Sequence, residues 1–230
     1  MKQFAVIGLG RFGSTVAKTL MSKGAEVIGV DRNKKRVDAI KDDVSTAIQI
    51  EAMDEESLRQ CGLEKVDAAI VCMGLDVEES ILATAILKKI GIKKVVARAS
   101  TSLHADILKM VGASEIVFPE TDIGEKVAIK LVSPGLEEFV ELGEDLSLAE
   151  IEVKTDALAG RSLKDLGLFG RYKVRPIIIK RKVKYEKEGE VVEEEIRELP
   201  GPDYVVSAGD TLLVLGETKD VEAFVGKYVK

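Results

Sequence analysis

The chain has 230 residues, enough for one large domain or two small ones, and a hydrophobic content of 46 % supports a real core. Its 40 acidic residues outnumber 34 basic ones, and the formal net charge of −6 argues against nonspecific nucleic-acid binding, which depends on excess Lys and Arg. No apolar run reaches the roughly 18–20 residues that span a bilayer, and no signal-peptide pattern opens the sequence, so a cytosolic protein is expected.

Lys2–Leu9 is a short apolar run that leads into Gly8-Leu9-Gly10-Arg11-Phe12-Gly13 and then a helical pattern, Ser14–Lys23. A second apolar run, Glu26–Val30, ends on Asp31, 18 residues after the last glycine. Strand, glycine turn, helix and acid in this order form the dinucleotide-binding fingerprint in its required context. Gly8 permits the sharp turn off the strand, Gly10 lets backbone approach a phosphate, and Gly13 lets the helix pack close to the sheet. The helix start offers unpaired N–H groups and a positive dipole end to an anion. Asp31 is placed to accept hydrogen bonds from both ribose hydroxyls.

The alternation continues with a helix over Lys34–Lys41, a strand over Ser45–Ile50 and a helix over Glu55–Cys61, for which Asp54 is a good N-cap. Ala68–Met73 is a continuous apolar strand and Val77–Ile90 an amphipathic helix. Lys94–Ala99 and Ser114–Phe118 read as strands, Ser102–Val111 and Thr121–Leu131 as helices. Short apolar strands separated by helices mean a parallel sheet covered on both faces. The expected fold is α/β, a Rossmann-like doubly wound sheet of order 3-2-1-4-5-6. Cys61 and Cys72 fall in a helical and a strand pattern without CxxC spacing and read as buried, reduced thiols.

Ser133-Pro134-Gly135 closes this pattern. The expected organisation is a nucleotide-binding domain over 1–133, a connection over 134–145 and a small α+β domain over 146–230. Leu136–Leu142 begins a new segment, and strands are expected at Leu148–Val153, Val174–Lys182 and Thr211–Leu215. Helices are expected at Ser162–Leu166 and Lys219–Val229. Lys180–Glu198 has a basic half, a Lys187-Glu188-Gly189-Glu190 turn and an acidic half, which suggests a hairpin with opposite charges facing across it.

Ligands of open parallel sheets bind outside the carboxyl ends of the strands, where strand order reverses. Those ends carry Arg11, Asp31, the Glu51-Ala52 pair, the Met73-Gly74 pair, Arg98 and Glu120. Arginine forks match phosphate oxygens. Arg98 interrupts the apolar run VVARA and needs an anionic partner, either a ligand phosphate or a neighbouring acid. Glu120 is either a surface turn residue or a group at the ligand or a bridging cation. Arg32 suits a 2′-phosphate, but Asp31 occupies that space, so an unphosphorylated ribose is favoured. The only histidine, His104, reads as solvated or capping. No GxSxG, HExxH or GxxxxGK[ST] occurs, and the second domain shows no nucleophile–base pair or His/Cys ligand cluster. The rival reading is a small NAD-dependent oxidoreductase, which requires a proton donor in the cleft.

These residues together resemble one family. FAVIGLGRFGSTVAKTL, VIGVDRN, EAMDEESL before VDAAIVCMG, VVARAS and GASEIVFPETDIG follow the order of the cytosolic regulatory subunits of Trk/Ktr potassium-uptake systems, the RCK (regulator of potassium conductance) proteins. LAGRSLKDLGL and VSAGDTLLVLGE extend the resemblance into the second domain, which looks like a C-terminal RCK subdomain. The resemblance implies a nucleotide sensor, not an enzyme, that binds ATP, ADP or NAD(H) through Gly8, Leu9, Gly10, Arg11, Phe12, Gly13, Asp31, Glu51, Ala52, Met73, Gly74 and Arg98. It places Arg11 at the terminal phosphates and Glu120 near phosphate or a divalent or sodium ion. Where this chain has Glu51 and Met53, the family commonly has Asp and Thr. The resemblance further implies dimers formed through the helix after the sixth strand, assembled into a ring, often an octamer, beneath a membrane potassium pore. Some C-terminal subdomains of the family bind cyclic di-AMP, for which no residue set here is diagnostic.

Overall fold

In the computed structural model, the described residues are 1–50, 54–74, 76–133, 135–154, 157–187 and 190–228. The expectations for Glu51 and Ala52, and for the centre of the turn at 188–189, fall outside them. The chain divides into two compact units, 1–122 and 123–230.

The apolar runs of the first unit become β1 (Gln3–Ile7), β2 (Glu26–Asp31), β3 (Thr46–Gln49), β4 (Ala68–Val71), β5 (Lys94–Arg98) and β6 (Glu115–Val117). Between them lie α1 (Arg11–Ser22), α2 (Lys34–Ile40), α3 (Glu55–Gln60), α4 (Val77–Lys89) and α5 (Ser102–Met110). The sheet runs β3-β2-β1-β4-β5-β6 with every pair parallel, the expected doubly wound order. Because side chains alternate along a strand, each strand feeds two cores. Ala5 and Ile7 join Leu58, Leu87 and Leu108 on one face, while Val6 and Val27 join Ala17, Val37 and Ile40 on the other. Strand order reverses between β1 and β4, which puts a crevice at their carboxyl ends.

The start of α1 and the burial of α5 differ from expectation. The first helix begins at Arg11, with Gly10 as its N-cap, so the second half of the glycine fingerprint is already helical. His104 is 2 % exposed, not solvated. With Ala105 and Leu108 it forms the buried face of α5, and its Nδ1 lies 3.4 Å from the Ser100 N–H and hydroxyl ahead of the helix. Burial lowers its pKa below the ordinary imidazole value.

α6 (Pro119–Val132) carries the chain from one unit into the other and buries none of its residues. The second unit is an antiparallel sheet of β7 (Leu136–Glu141), β8 (Leu146–Glu152), β9 (Arg175–Lys187), β10 (Glu190–Glu198) and β11 (Thr211–Glu217), in the order β10-β9-β11-β8-β7, with α7 (Thr218–Tyr228). The stretch 134–145, expected as a connection, thus contributes the edge strand β7. Val221, Phe224 and Val225 of α7 pack with Ala149, Ile151, Leu212 and Val214 of the sheet. The hairpin forms, with Glu195 opposite Lys182 as expected, whereas Arg197 opposite Lys180 sets like charges across from each other. Two of its cations reach acids outside it: Lys180 binds Glu150 at 2.7 Å, and Arg181 binds the buried Asp210 at 2.7 Å. Ser162–Leu166 is not a helix: Ser162 forms an isolated antiparallel bridge with Val205, and Leu163–Leu166 is a run of turns. Gly160 and Gly167 take φ of 77° and 64° at its ends, and the Ser162 hydroxyl bonds Asp165 at 2.7 Å, fixing a local loop in place of helical turns.

Candidate functional site

The crevice at the β1–β4 reversal holds a cavity of about 330 Å³. Its walls include Gly8, Gly10, Arg11, Asp31, Arg32, Met73, Gly74 and Arg98 among the residues expected from sequence. Val30, Arg36, Cys72, Asp76 and Glu79 also line it and were not expected. Leu9, Phe12, Gly13 and Glu120 are near but outside its lining.

The glycine turn is built by close contact and by one buried acid. Gly8 has a φ of 94°, and its N–H donates to the Val30 carbonyl at 2.7 Å. A Cβ on Gly13 would stand 1.9 Å from the Gly8 carbonyl oxygen, so only glycine lets α1 approach the end of β1 this closely. Gly10 is different: a Cβ there would meet no protein atom within 4 Å, and the residue borders open space in the cavity. The first intrahelical bond runs from the Ser14 N–H to the Gly10 carbonyl, which leaves the preceding N–H groups at the positive end of the helix dipole. Leu9 turns its side chain away, against Gly29, and gives the site only backbone.

Asp31 is 4 % exposed and holds this turn. Its Oδ2 accepts the Leu9 N–H at 2.7 Å and its Oδ1 accepts the Asn33 N–H at 2.7 Å. Arg36 Nη1 lies 3.4 Å from Oδ2. The acid expected to meet a ribose therefore also ties β2 to the glycine turn.

Arg98 closes the opposite wall. Gly74 makes room for it, since a Cβ on Gly74 would sit 2.6 Å from the guanidinium carbon. The guanidinium lies 5.9 Å from the centre of the Phe12 ring, and its Nη2 donates to Glu120. Of the two partners the sequence left open, a neighbouring acid is thus in place. Nε of Arg98 is nevertheless buried and has no hydrogen-bond partner among the described residues. Glu120 has a side chain 67 % exposed. Among the described residues no group of three or more His, Cys, Asp or Glu side chains gathers to hold a metal, so Glu120 stands as a single carboxylate already paired to Arg98.

Two of the unexpected wall residues, Asp76 and Glu79, come from the start of α4. Asp76 caps this helix, accepting the Glu79 N–H at 3.1 Å, and both acids face Arg32, whose Nη1 is 3.7 Å from Asp76 and 3.3 Å from Glu79. Burial pushes the Glu79 carboxyl above its ordinary pKa, against the pull of Arg32. The sequence carried a signal for this pair in the Asp76-x-x-Glu79 capping-box spacing after an apolar strand. Cys72, just after β4, is buried, and desolvation pushes its thiol up to about 12, so it stays protonated at neutral pH. Cys61, in contrast to the expectation, is only half-buried.

Residues 4–119 match the TrkA-N domain family, and residues 148–226 match the TrkA-C domain family. The chain is 34 % identical over 223 residues to Ktr system potassium uptake protein C of Bacillus subtilis (strain 168), covering 97 % of this chain and 96 % of that protein. It is 36 % identical over 215 residues to Ktr system potassium uptake protein A of Vibrio alginolyticus, covering 94 % and 92 % respectively. A solved structure of the GsuK channel bound to NAD superposes with a TM-score of 0.66 at 14 % identity, over 100 % of this chain and 39 % of that one, a likeness of fold alone.

Proposed function

We propose that this chain, which belongs to the TrkA-N/TrkA-C domain family, is a regulatory subunit that gates a membrane potassium transporter according to its bound adenine nucleotide. The observation that carries the reading is the cavity at the β1–β4 crevice, which brings Gly10, Arg11, Asp31 and Arg98 around one space. ATP, ADP, NAD and NADH share the groups this space suits.

The α1 N-terminus and the open face of Gly10 receive a phosphate, and Arg11 reaches the terminal phosphates of a triphosphate. Asp31 keeps lone pairs for ribose hydroxyls beyond the two N–H groups it already binds. The Arg98 guanidinium supplies further charge-assisted donors on the opposite wall. A bound nucleotide acts as a signal and is not consumed. The sole histidine lies outside the cavity lining, and the thiol that reaches it is held neutral, which supports this reading over an oxidoreductase.

Gating needs a difference in affinity between two states. A tenfold preference supplies about 1.4 kcal/mol per site. Eight concerted sites reach roughly 11 kcal/mol, beyond the ~5.5 kcal/mol that inverts a 1:99 population, and one site falls short. Assembly into a ring of dimers therefore belongs to the mechanism. Ile123, Val127 and Leu131 of α6 lie four residues apart and are 59 %, 53 % and 77 % exposed, an apolar stripe that suits the dimer contact. No described helix is long and apolar enough to cross a membrane, and the subunit acts from the cytoplasmic side through its membrane partner.

Potassium flux into proteoliposomes that hold a Ktr-type membrane subunit tests the reading, with and without the chain, in ATP and in ADP. Flux that changes with both the chain and the nucleotide supports it. Flux indifferent to either overturns it.

A further inference from the structure

The ribose edge of the cavity carries two arginines just after the acid of β2, the composition of a site that accepts a 2′-phosphate. Both arginines already face carboxylates. Arg36 Nη1 lies 3.4 Å from Asp31 Oδ2, and Arg32 Nη1 lies 3.3 Å from Glu79 Oε2 and 3.7 Å from Asp76 Oδ2. Asp76 spends its other oxygen on the N-cap of α4, which fixes the carboxylate that Arg32 meets. Glu79 has a side chain only 18 % exposed and so cannot swing far into solvent. All five groups line the cavity, three carboxylates and two guanidiniums, so the edge is short of positive charge.

We propose that Asp76 and Glu79 are specificity-determining residues that hold Arg32 and so reject nucleotides bearing a 2′-phosphate. The inference rests on the nucleotide reading above and deepens it: the ligand class is an adenine nucleotide with a free 2′-hydroxyl. A phosphate dianion placed beside Asp31 must draw Arg32 away from both acids and then sit next to three carboxylates. A 2′-hydroxyl makes neither demand. Arg32 has a side chain 62 % exposed, so each ion pair is individually weak, and the rejection comes from competition together with like-charge repulsion.

The test is calorimetric titration of the full chain with NAD, NADP and ADP. The wild type binds NAD more than tenfold tighter than NADP. In the double variant Asp76→Asn/Glu79→Gln, in which Asn still caps α4, NADP affinity rises by about tenfold while NAD and ADP shift far less. Adding Arg32→Ala to the double variant abolishes the gain. Glu79→Gln alone gives a smaller gain of the same sign and serves if the double variant melts early. Glu78→Gln removes the same charge from a residue outside the cavity and leaves the NAD/NADP ratio unchanged. Equal wild-type affinities for NAD and NADP, an unchanged ratio in the folded double variant, or an equal shift in Glu78→Gln overturns the proposal. A wild type that binds NAD or ADP but fails these comparisons leaves the nucleotide reading standing; one that binds none of the three ligands overturns both.

Discussion

Gly74 and Arg98 fit against each other so closely that a Cβ on the glycine would stand 2.6 Å from the guanidinium carbon and 2.7 Å from Nε. The obstructed atoms belong to the far end of a flexible side chain, so Gly74→Ala is relieved by moving the guanidinium. We expect a small loss of stability, below about 1 kcal/mol, and a loss of nucleotide affinity of about tenfold, as one charge-assisted hydrogen bond of ~1.5 kcal/mol disappears. Urea denaturation and calorimetry on the same sample check the split. A large stability loss with intact affinity contradicts it.

Gly13 presents the opposite case. A Cβ there meets a backbone carbonyl oxygen at 1.9 Å, and backbone cannot step aside. Gly13→Ala must separate α1 from β1, with an expected cost at the upper end of the overpacking range, about 3 kcal/mol or more. Chemical denaturation curves measure it directly.

Asp31 serves fold and ligand together. Asp31→Ala leaves the buried Leu9 N–H without its acceptor, which costs about 1–3 kcal/mol before any ligand is considered. Both the melting midpoint and nucleotide affinity should fall. A variant that loses affinity at full stability would show that the turn finds another acceptor.

His104 gives a pH dependence with a definite sign. Burial holds its folded pKa below the ordinary value of 6.5, so the imidazole is neutral in both states at higher pH. As pH falls through about 6.5 the unfolded chain takes up the proton first, and stability declines until the folded pKa is passed. Unfolding free energies between pH 8 and pH 5 should therefore show a slope that His104→Leu flattens. The leucine also gives up the Nδ1 contacts with Ser100 at 3.4 Å, so the slope with pH is the readout and the absolute stability is not.

The stripe on α6 predicts an association surface. Val127 is 53 % exposed between Ile123 and Leu131, and Val127→Asp puts a charge at its centre. Light scattering should find the wild type dimeric or larger and the variant dissociated at the same concentration, with its circular dichroism preserved. Unchanged mass in the variant removes α6 from the contact.

Most of the first unit was legible because each layer of signal agreed. Continuous apolar runs marked strands buried on both faces, and the glycine spacing fixed which of them lies at the reversal. The walls contributed by Asp76, Glu79 and Arg36 were missed because a cavity joins residues far apart in sequence, and capping-box spacing reads first as helix initiation. His104 was misjudged by residue type, although its spacing with Ala105 and Leu108 marks the apolar face of α5. Ser162–Leu166 imitated a helix over five residues, too short for its pattern to outweigh the flanking Gly160 and Gly167. The charges of the β9–β10 hairpin were read as a matched pair of strands, whereas Lys180 and Arg181 bind acids outside β10, on β8 and just before β11.

Calorimetric titration of the purified chain with ATP, ADP, NAD and NADH, followed by chromatographic recovery of each nucleotide, tests the central claim most directly. Saturable binding at one site per chain, weakened by Gly74→Ala, with the nucleotide recovered unaltered, is the expected result. No binding of any of the four, or steady conversion of a bound nucleotide during incubation, would contradict it.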